Sequence, residues 1–225
     1  MNSQDSKTVV ITGANRGIGL ALCKVYLEKG LKVIAVCRQT SKELQALPVE
    51  VVDQVDVSSA EGISHLQKMI EDRSIHILIN NAGILRNQTF SDLDYEKMTE
   101  QFMVNTLGPI RVVEALFENL STGSKVAFIT SRMGSIEDNT SGGSYGYRMS
   151  KCALNIAGKS MAVDFKPKGI AVALLHPGYV QTEMVNFGGE ISADLSASRL
   201  ADRIDQLNLK NSGTFWHSNG EVLPW

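Results

Sequence analysis

The chain has few of the residues from which metal sites and disulfide frameworks are built. Its 225 residues include three cysteines and four histidines, and no two cysteines form a C-x-x-C pair. Scattered imidazoles and thiols lack the spacing of a metal-ligand motif. Thiols without a disulfide pattern indicate a reducing compartment. We therefore expect no metal centre and no disulfide-stabilised secreted domain.

A charge excess and long hydrophobic runs are also missing. The chain has 22 Lys and Arg against 24 Asp and Glu, a formal net charge of -2. This balance provides no basic surface for nucleic acid or anionic membranes. No apolar run reaches the ~18 residues of a membrane-spanning helix, and the N-terminal segment is too polar for a signal peptide. We expect a cytoplasmic protein without a nucleic-acid or membrane partner.

What the chain does have is a regular alternation of strand-like and helix-like segments. Continuous Val/Ile runs are typical of parallel strands covered on both faces, and right-handed crossovers then give a doubly wound sheet. The prediction is an α/β fold: one domain over residues 1–225 with a Rossmann-like parallel sheet of about seven strands and helices on both faces. The predicted strands are Thr8–Thr12, Lys32–Val36, Val49–Val52, Ile75–Ile79, Lys125–Thr130, Ile170–Leu175 and Thr214–Trp216. The predicted helices are Ile18–Lys29, Ser41–Ala46, Ala60–Asp72, Leu93–Asn119, Tyr147–Phe165 and Ala197–Leu207.

The first predicted strand runs into the turn TGANRGIG, which opens the first predicted helix. Its glycines, Gly13, Gly17 and Gly19, let the backbone turn tightly and approach a pyrophosphate at the positive end of the helix. This context predicts a dinucleotide site, and a turn that is merely flexible is the alternative.

Two arginines favour NADP(H) over NAD(H). A cofactor without a 2′-phosphate usually meets a carboxylate at the end of the second strand, but Arg38 stands there and no carboxylate follows before Glu43. With Arg16 in the glycine loop, it would bind an added phosphate through charge-assisted hydrogen bonds. Solvated surface arginines are the alternative. Asp56, after the third strand, is placed to bind the adenine amino group, and a helix cap is its alternative role.

The segment SYGYRMSK, residues 144–151, contains two tyrosines, and helical spacing separates them. In a helix, Lys151 lies over Tyr147, four residues before it, while Tyr145 points elsewhere. An ammonium beside a phenol stabilises the phenolate and lowers the tyrosine pKa. Tyr147 is therefore the candidate acid or base, with an exposed Tyr/Lys pair as the alternative.

Together these segments resemble the short-chain dehydrogenases/reductases. The chain has that family's TGxxxGxG loop at 12–19, NNAG at 80–83, YxxxK at 147–151 and PGxVxT at 177–182. Within the family, the stretch TSRMGSIEDNTSGGSYGYRMSKCALN and the ending FWHSNGEVLPW are similar to the group of carbonyl reductases related to Sniffer and to the C-factor signalling protein.

The resemblance implies hydride transfer between NADP(H) and a carbonyl or alcohol carbon of a small-molecule substrate. It implies that Tyr147 exchanges a proton with the substrate oxygen and that Ser131 bonds the same oxygen. Lys151 would lower the tyrosine pKa and hold the nicotinamide ribose, and Asn105 would hold a water of a proton relay. The implied cofactor contacts are Gly13, Asn15, Arg16, Gly17, Ile18, Gly19, Arg38, Asp56, Val57, Asn81, Ala82, Gly83, Tyr147, Lys151, Pro177, Gly178, Val180 and Thr182.

The chain departs from the family pattern at the serine. In most relatives the serine lies thirteen positions before the tyrosine, where this chain has Gly134. Ser131 matches the strand-end pattern but lies sixteen positions ahead of Tyr147. The glycine-rich NTSGG segment provides room for the longer loop at little entropic cost. We favour Ser131, with Ser135 as the alternative.

The resemblance also implies an alternative function and an assembly. The alternative is a cofactor-bound, C-factor-like signalling or regulatory protein with little turnover. Relatives are usually dimers or tetramers through the fourth and fifth helices, which implies a homodimer or homotetramer. Residues Glu183–Ser198 are the expected lid over the site.

Overall fold

A computed structural model describes residues 7–225; residues 1–6, which the predicted domain includes, lie outside that range. Seven strands form one sheet in the order β3-β2-β1-β4-β5-β6-β7, and every neighbouring pair is parallel. The strands are β1 (Thr8–Thr12), β2 (Lys32–Val36), β3 (Glu50–Val52), β4 (Ile75–Asn80), β5 (Leu120–Ile129), β6 (Ala171–His176) and β7 (Thr214–His217). The predicted α/β fold with a doubly wound parallel sheet is confirmed.

Helices cover both faces of the sheet because successive strand residues point to opposite sides. On β1, Val9 and Ile11 belong to a core with Leu22 and Leu200, while Val10 belongs to a second core with residues of the opposite helix layer. The helices are α1 (Gly17–Glu28), α2 (Lys42–Gln45), α3 (Ala60–Ile70), α4 (Tyr95–Phe102), α5 (Gly108–Ala115), α6 (Tyr145–Asp164) and α7 (Ala193–Gln206). Helices α1 and α7 cover one face, and α3, α5 and α6 cover the other.

The chain changes direction across the sheet between β3 and β4. Strands β1 to β3 are added towards one edge, and β4 then returns to the other side of β1. In such sheets the carboxyl ends of the strands beside this switch point form a crevice that binds ligands. The fold therefore places a candidate site at the ends of β1 and β4.

The prediction of one helix over Leu93–Asn119 is wrong. Between α4 and α5 the chain forms a π-helical turn, Met103–Leu107, in which the Gly108 amide donates to the Met103 carbonyl. Pro109 has no amide hydrogen and so leaves the carbonyl of Asn105, four residues earlier, without its usual partner. Residues Phe117–Asn119 form a 3₁₀ turn, and β5 begins at Leu120.

The predicted lid, Glu183–Ser198, is also too long. It contains a 3₁₀ turn at Glu183–Val185, and Ile191 pairs with Val180 through an isolated bridge. Helix α7 begins at Ala193, capped by Ser192, whose side chain accepts from the Leu195 amide. The part of the predicted lid that precedes this helix is therefore 183–192. Strand β5 begins five residues before its predicted start at Lys125, and the other bounds differ by up to two residues, except the start of α7.

Within residues 7–225, none of the helices combines the length and the apolar character that crossing a membrane requires.

Candidate active site

A cleft of about 760 Å³ opens at the switch point of the sheet. Its walls come from the glycine loop, the ends of β2 and β4, the loop after β3, α6 and the segment after β6. The predicted residues that line it are Gly13, Asn15, Arg16, Gly17, Ile18, Arg38, Asp56, Val57, Asn81, Ala82, Gly83, Tyr147, Lys151, Pro177 and Thr182. The predicted residues that do not line it are Gly19, Asn105, Ser131, Gly178 and Val180.

The glycine loop lies directly against the end of β4. A Cβ on Gly13, which has a φ of +65°, would lie 2.8 Å from the Cα of Ala82, and a Cβ on Gly19 would lie 2.2 Å from the Gly13 oxygen. The Asn81 side-chain amide donates to the carbonyls of Thr12 and Gly13, at 3.0 and 3.1 Å. Glycine is thus required here for close backbone approach, and Asn81 pins the loop.

The loop leaves the N-terminus of α1 available to an anion. Its N-cap residue, Arg16, makes no side-chain capping bond, and the first turn of this 12-residue helix carries no acidic residue. The first amides of a helix have no partner within it and attract negative charge. These features fit the pyrophosphate of a dinucleotide.

The ends of β2 and β3 provide the charges at one end of the cleft. Burial raises the Asp56 pKa, but bonds from Ser58 and the nearby Arg38 charge outweigh it and hold that pKa below its ordinary value. The Asp56 carboxylate accepts from the Ser58 amide at 2.8 Å and from its hydroxyl at 2.6 Å. Ser59, and not Asp56, caps α3. Asp56 is therefore an ionised loop carboxylate facing the cleft.

An ion pair that the sequence does not predict crosses the cleft. Arg16 in the glycine loop pairs with Glu183, in the segment after β6, and both side chains are exposed. Other lining residues beyond the predicted set are Val36, Cys37, Gln39, Val55, Ile84, Val104, Ile129, Thr130, Gln181, Met184 and Phe187. Most follow or end a strand, so their place at the carboxyl edge was the signal that could have identified them.

Tyr147 and Lys151 lie one turn apart on α6, but their pKa values differ from the expectation. Although part of the Tyr147 ring lines the cleft, burial raises its pKa to about 12, and a hydrogen bond with the Ser131 side chain opposes that rise. The expected net lowering of the Tyr147 pKa is not found, because burial raises that pKa. The Lys151 ammonium lies 5.8 Å from the ring centroid of Tyr147 and donates to the Ile129 carbonyl at 2.9 Å. Burial lowers the Lys151 pKa to about 8.

The structure distinguishes the two candidate serines. Ser131 caps a 3₁₀ turn by accepting from the Met133 amide at 3.1 Å, and its side chain lies near enough to Tyr147 to oppose the rise of the Tyr147 pKa. Ser135 instead donates to the Trp225 backbone oxygen at 2.9 Å. At Gly134 a Cβ would lie 2.7 Å from the Lys151 carbonyl carbon, so no side chain fits there. The contact with Tyr147 supports Ser131.

Asn105 is fully buried within the π turn. Its side-chain amide donates to the Ile84 carbonyl at 2.9 Å and to the Ser150 hydroxyl at 3.0 Å, and its oxygen accepts from the Ile84 amide at 2.8 Å. The side chain therefore braces the loop after β4 against α6. Its backbone carbonyl lacks the usual amide partner four residues later, because that residue is Pro109.

Comparison with known proteins places this site in a family. The model of the family described as short chain dehydrogenase matches residues 7–190. The chain belongs to this family.

Two relatives are similar to two thirds or more of this chain. The chain is 38% identical over 224 residues to 1-hydroxy-2-glutathionyl-2-methyl-3-butene dehydrogenase of Rhodococcus sp. (strain AD45), covering 97% of this chain and 99% of that protein. It is 44% identical over 154 residues to C-signal of Myxococcus xanthus, covering 67% of this chain and 93% of that protein.

Solved structures agree with this assignment. The carbonyl reductase Sniffer of D. melanogaster superposes with a TM-score of 0.87 at 27% identity, covering 98% of this chain and 100% of that one. A carbonyl reductase from Pseudomonas aeruginosa PAO1 in complex with NADP superposes with a TM-score of 0.87 at 33% identity, covering 98% and 100%. The resemblance to Sniffer and C-factor-like proteins is confirmed, and the chain is an oxidoreductase of the short-chain dehydrogenase family.

Proposed function

We propose that this protein is an NADP(H)-dependent carbonyl reductase. It transfers a hydride between the nicotinamide and the carbonyl or alcohol carbon of a small molecule. The observation that carries the proposal is that Tyr147 and Lys151, one helical turn apart on α6, line the same cleft as the glycine loop. The hydroxyls of Tyr147 and Ser131, next to this cleft, can together polarise a substrate carbonyl oxygen.

Bound NADPH supplies the hydride. Because its pKa is about 12, Tyr147 stays protonated at neutral pH and donates this proton to the substrate oxygen. Ser131 donates a hydrogen bond to the same oxygen and stabilises its developing charge. Lys151, whose pKa is about 8, is mostly charged at neutral pH and stabilises the phenolate left on Tyr147. The Asn105 carbonyl holds the water through which Lys151 exchanges protons with solvent.

The preference for NADP(H) over NAD(H) rests on charge. Arg16 and Arg38 line the cleft, and both would bind the 2′-phosphate. Asp56 accepts a hydrogen bond from the adenine amino group. The NADP complex of the Pseudomonas aeruginosa structure supports this choice. We assign residues 1–225 to a single NADP-binding domain.

The substrate is a carbonyl or alcohol that enters past an apolar rim. Met184 and Phe187, on the 183–192 segment, line the cleft and are partly exposed. The Rhodococcus relative is named for an alcohol that carries a glutathionyl group. We propose that the short 183–192 segment leaves room for substrates with a bulky substituent.

We also propose a homodimer or homotetramer in the cytoplasm. Met149, Ile156 and Val163 are 55%, 64% and 65% exposed at seven-residue spacing on α6. Such spacing places them on one helix face, which a second copy would bury.

Comparison of the wild type with Tyr147→Phe tests the enzymatic function. NADPH absorbance is followed with a panel of aldehydes, ketones and quinones. We expect the wild type to consume NADPH and the variant to lose roughly 10²-fold or more of kcat, since its ring has no proton to donate. Tyr145→Phe is the matched control, because the Tyr145 ring packs against Phe90 with centroids 6.1 Å apart. A wild type no faster than Tyr147→Phe on every substrate would refute the proposal.

The similarity to C-signal keeps a second function open. In that case the protein binds nucleotide and acts as a signalling or regulatory protein with little turnover. Tight NADP(H) binding without substrate-dependent NADPH consumption in the same panel favours this second function.

A further inference from the structure

The last residues of the chain lie against the loop that carries Ser131. The Trp225 backbone oxygen accepts three hydrogen bonds from one short segment of that loop. The donors are the Ser135 hydroxyl at 2.9 Å, the Ile136 amide at 2.6 Å and the Glu137 amide at 3.0 Å. Three donors converging on one oxygen fix the position of a segment that has no regular secondary structure of its own after Gly134.

Trp225 is itself held in place. Its ring stacks on Phe215 of β7 with centroids 5.6 Å apart. The Lys159 ammonium lies over the Trp225 ring, 5.9 Å from its centroid. The Leu223 amide donates to the Phe215 carbonyl at 2.9 Å. The oxygen that the loop binds is therefore anchored to the sheet.

A second contact joins residues 221–225 to Arg132, the residue that follows Ser131. The Arg132 guanidinium donates to the carboxylate of Glu221 at 3.1 Å and forms an ion pair with that of Asp138 at 3.0 Å. Arg132 thus connects the start of the loop to Asp138, later in the same loop, and to Glu221.

On its other side the loop rests on α6. A Cβ on Gly134 would lie 2.7 Å from the Lys151 carbonyl carbon, and the Asn155 side-chain amide donates to the Gly134 carbonyl at 3.4 Å. The buried start of the segment, 131–135, therefore lies between the helix that carries Tyr147 and the residues 221–225.

The longer loop needs such contacts to hold Ser131 in place. Ser131 precedes Tyr147 by sixteen residues, and the intervening backbone has positive φ values at Gly142, Gly143 and Ser144. Tyr147 is held by a long helix, whereas a side chain on a loop keeps a productive position only when surrounding contacts fix it.

We infer that residues Glu221–Trp225 form a positioning clamp for Ser131. The clamp contacts neither substrate nor cofactor and acts by holding the Ser131 hydroxyl at Tyr147. The inference rests on the proposed function, because the hydroxyl matters for catalysis only if the site reduces a carbonyl.

Trp225→Ala tests the clamp, with Trp225→Phe as the conservative variant. We expect Trp225→Ala to lower kcat about tenfold with the KM for NADPH unchanged, and Trp225→Phe to retain most of kcat because its ring still stacks. The decisive step repeats Trp225→Ala in a Ser131→Ala background. If the clamp acts through Ser131, adding Trp225→Ala to the Ser131→Ala variant lowers kcat by less than about twofold. An equal loss in both backgrounds overturns the inference.

Two further measurements keep the test decisive. Glu221→Gln removes the charge of the ion pair with Arg132 and weakens that contact, and it is the test to use if Trp225→Ala does not fold. It should lower kcat up to about threefold, with the same dependence on Ser131. Hydrogen exchange of the Met133, Ile136 and Glu137 amides needs no turnover. Faster exchange of these amides in the clamp variants supports the clamp even if the wild type proves inactive, which would refute only the reductase proposal. Unchanged exchange at all three overturns the clamp.

Discussion

The two ends of the cleft are built in different ways. At the nucleotide end, the glycine loop, Arg38 and Asp56 lie within a few residues of the ends of β1, β2 and β3, so neighbouring strand ends bring them together. At the reaction end, Ser131 and Tyr147 come from a loop and a helix. Their arrangement depends on Asn105, bonded to a residue 45 positions away, and on Trp225, bonded to one 90 positions away. One end follows from local sequence, and the other requires long-range contacts.

This difference decides how each end responds to substitution. At the nucleotide end, glycines allow backbone to pack against backbone, so binding depends on single positions and on charge. At the reaction end, several contacts hold one hydroxyl, so substitutions that never touch the substrate should still change the rate.

The largest effect that tests this comparison is expected at the serine. Ser131→Ala removes the hydroxyl that bonds Tyr147, so we expect kcat to fall roughly 10²- to 10³-fold, the usual cost of losing one such donor. Ser135→Ala breaks only one of the three bonds to Trp225 and should cost about tenfold or less. The measurement is steady-state reduction with the best substrate of the panel. A larger loss in Ser135→Ala would make Ser135 the catalytic serine.

A smaller effect is expected at the nucleotide end. Arg38→Asp replaces a phosphate-binding charge with a repelling one, so NADPH affinity should fall about 10- to 100-fold. The affinity for NAD(H) should change little, because NAD(H) has no 2′-phosphate. Fluorescence titration of both cofactors measures this, with Lys42→Asp on the neighbouring short helix as the charge-matched control. Equal NAD and NADP affinity in the wild type would contradict the charge argument.

The sequence predicts the nucleotide end better than the reaction end for a physical reason. The order of apolar runs, glycines and arginines is local, so it predicted the sheet and the glycine loop. The helix break at 103–107 follows from Pro109, but its π geometry depends on packing against α6. The contact of Trp225 with the Ser131 loop joins distant residues, and no spacing in the sequence indicates it. The Tyr147 pKa was predicted wrongly because burial, unlike helical spacing, is a property of the whole fold.

The smallest effect concerns pH and sharpens the roles of the Tyr147 and Lys151 pair. Burial lowers the Lys151 pKa to about 8, so its ammonium is lost as pH rises through 8, while Tyr147, with a pKa of about 12, keeps its proton. If the ammonium stabilises the phenolate, the initial rate of reduction falls about twofold at pH 8 and about tenfold at pH 9, as one proton dissociates. Circular dichroism at each pH controls for unfolding. A rate that stays level up to pH 10 would show that Lys151 keeps its charge or that the phenolate does not need it, and the reaction would then rest on Tyr147 and Ser131.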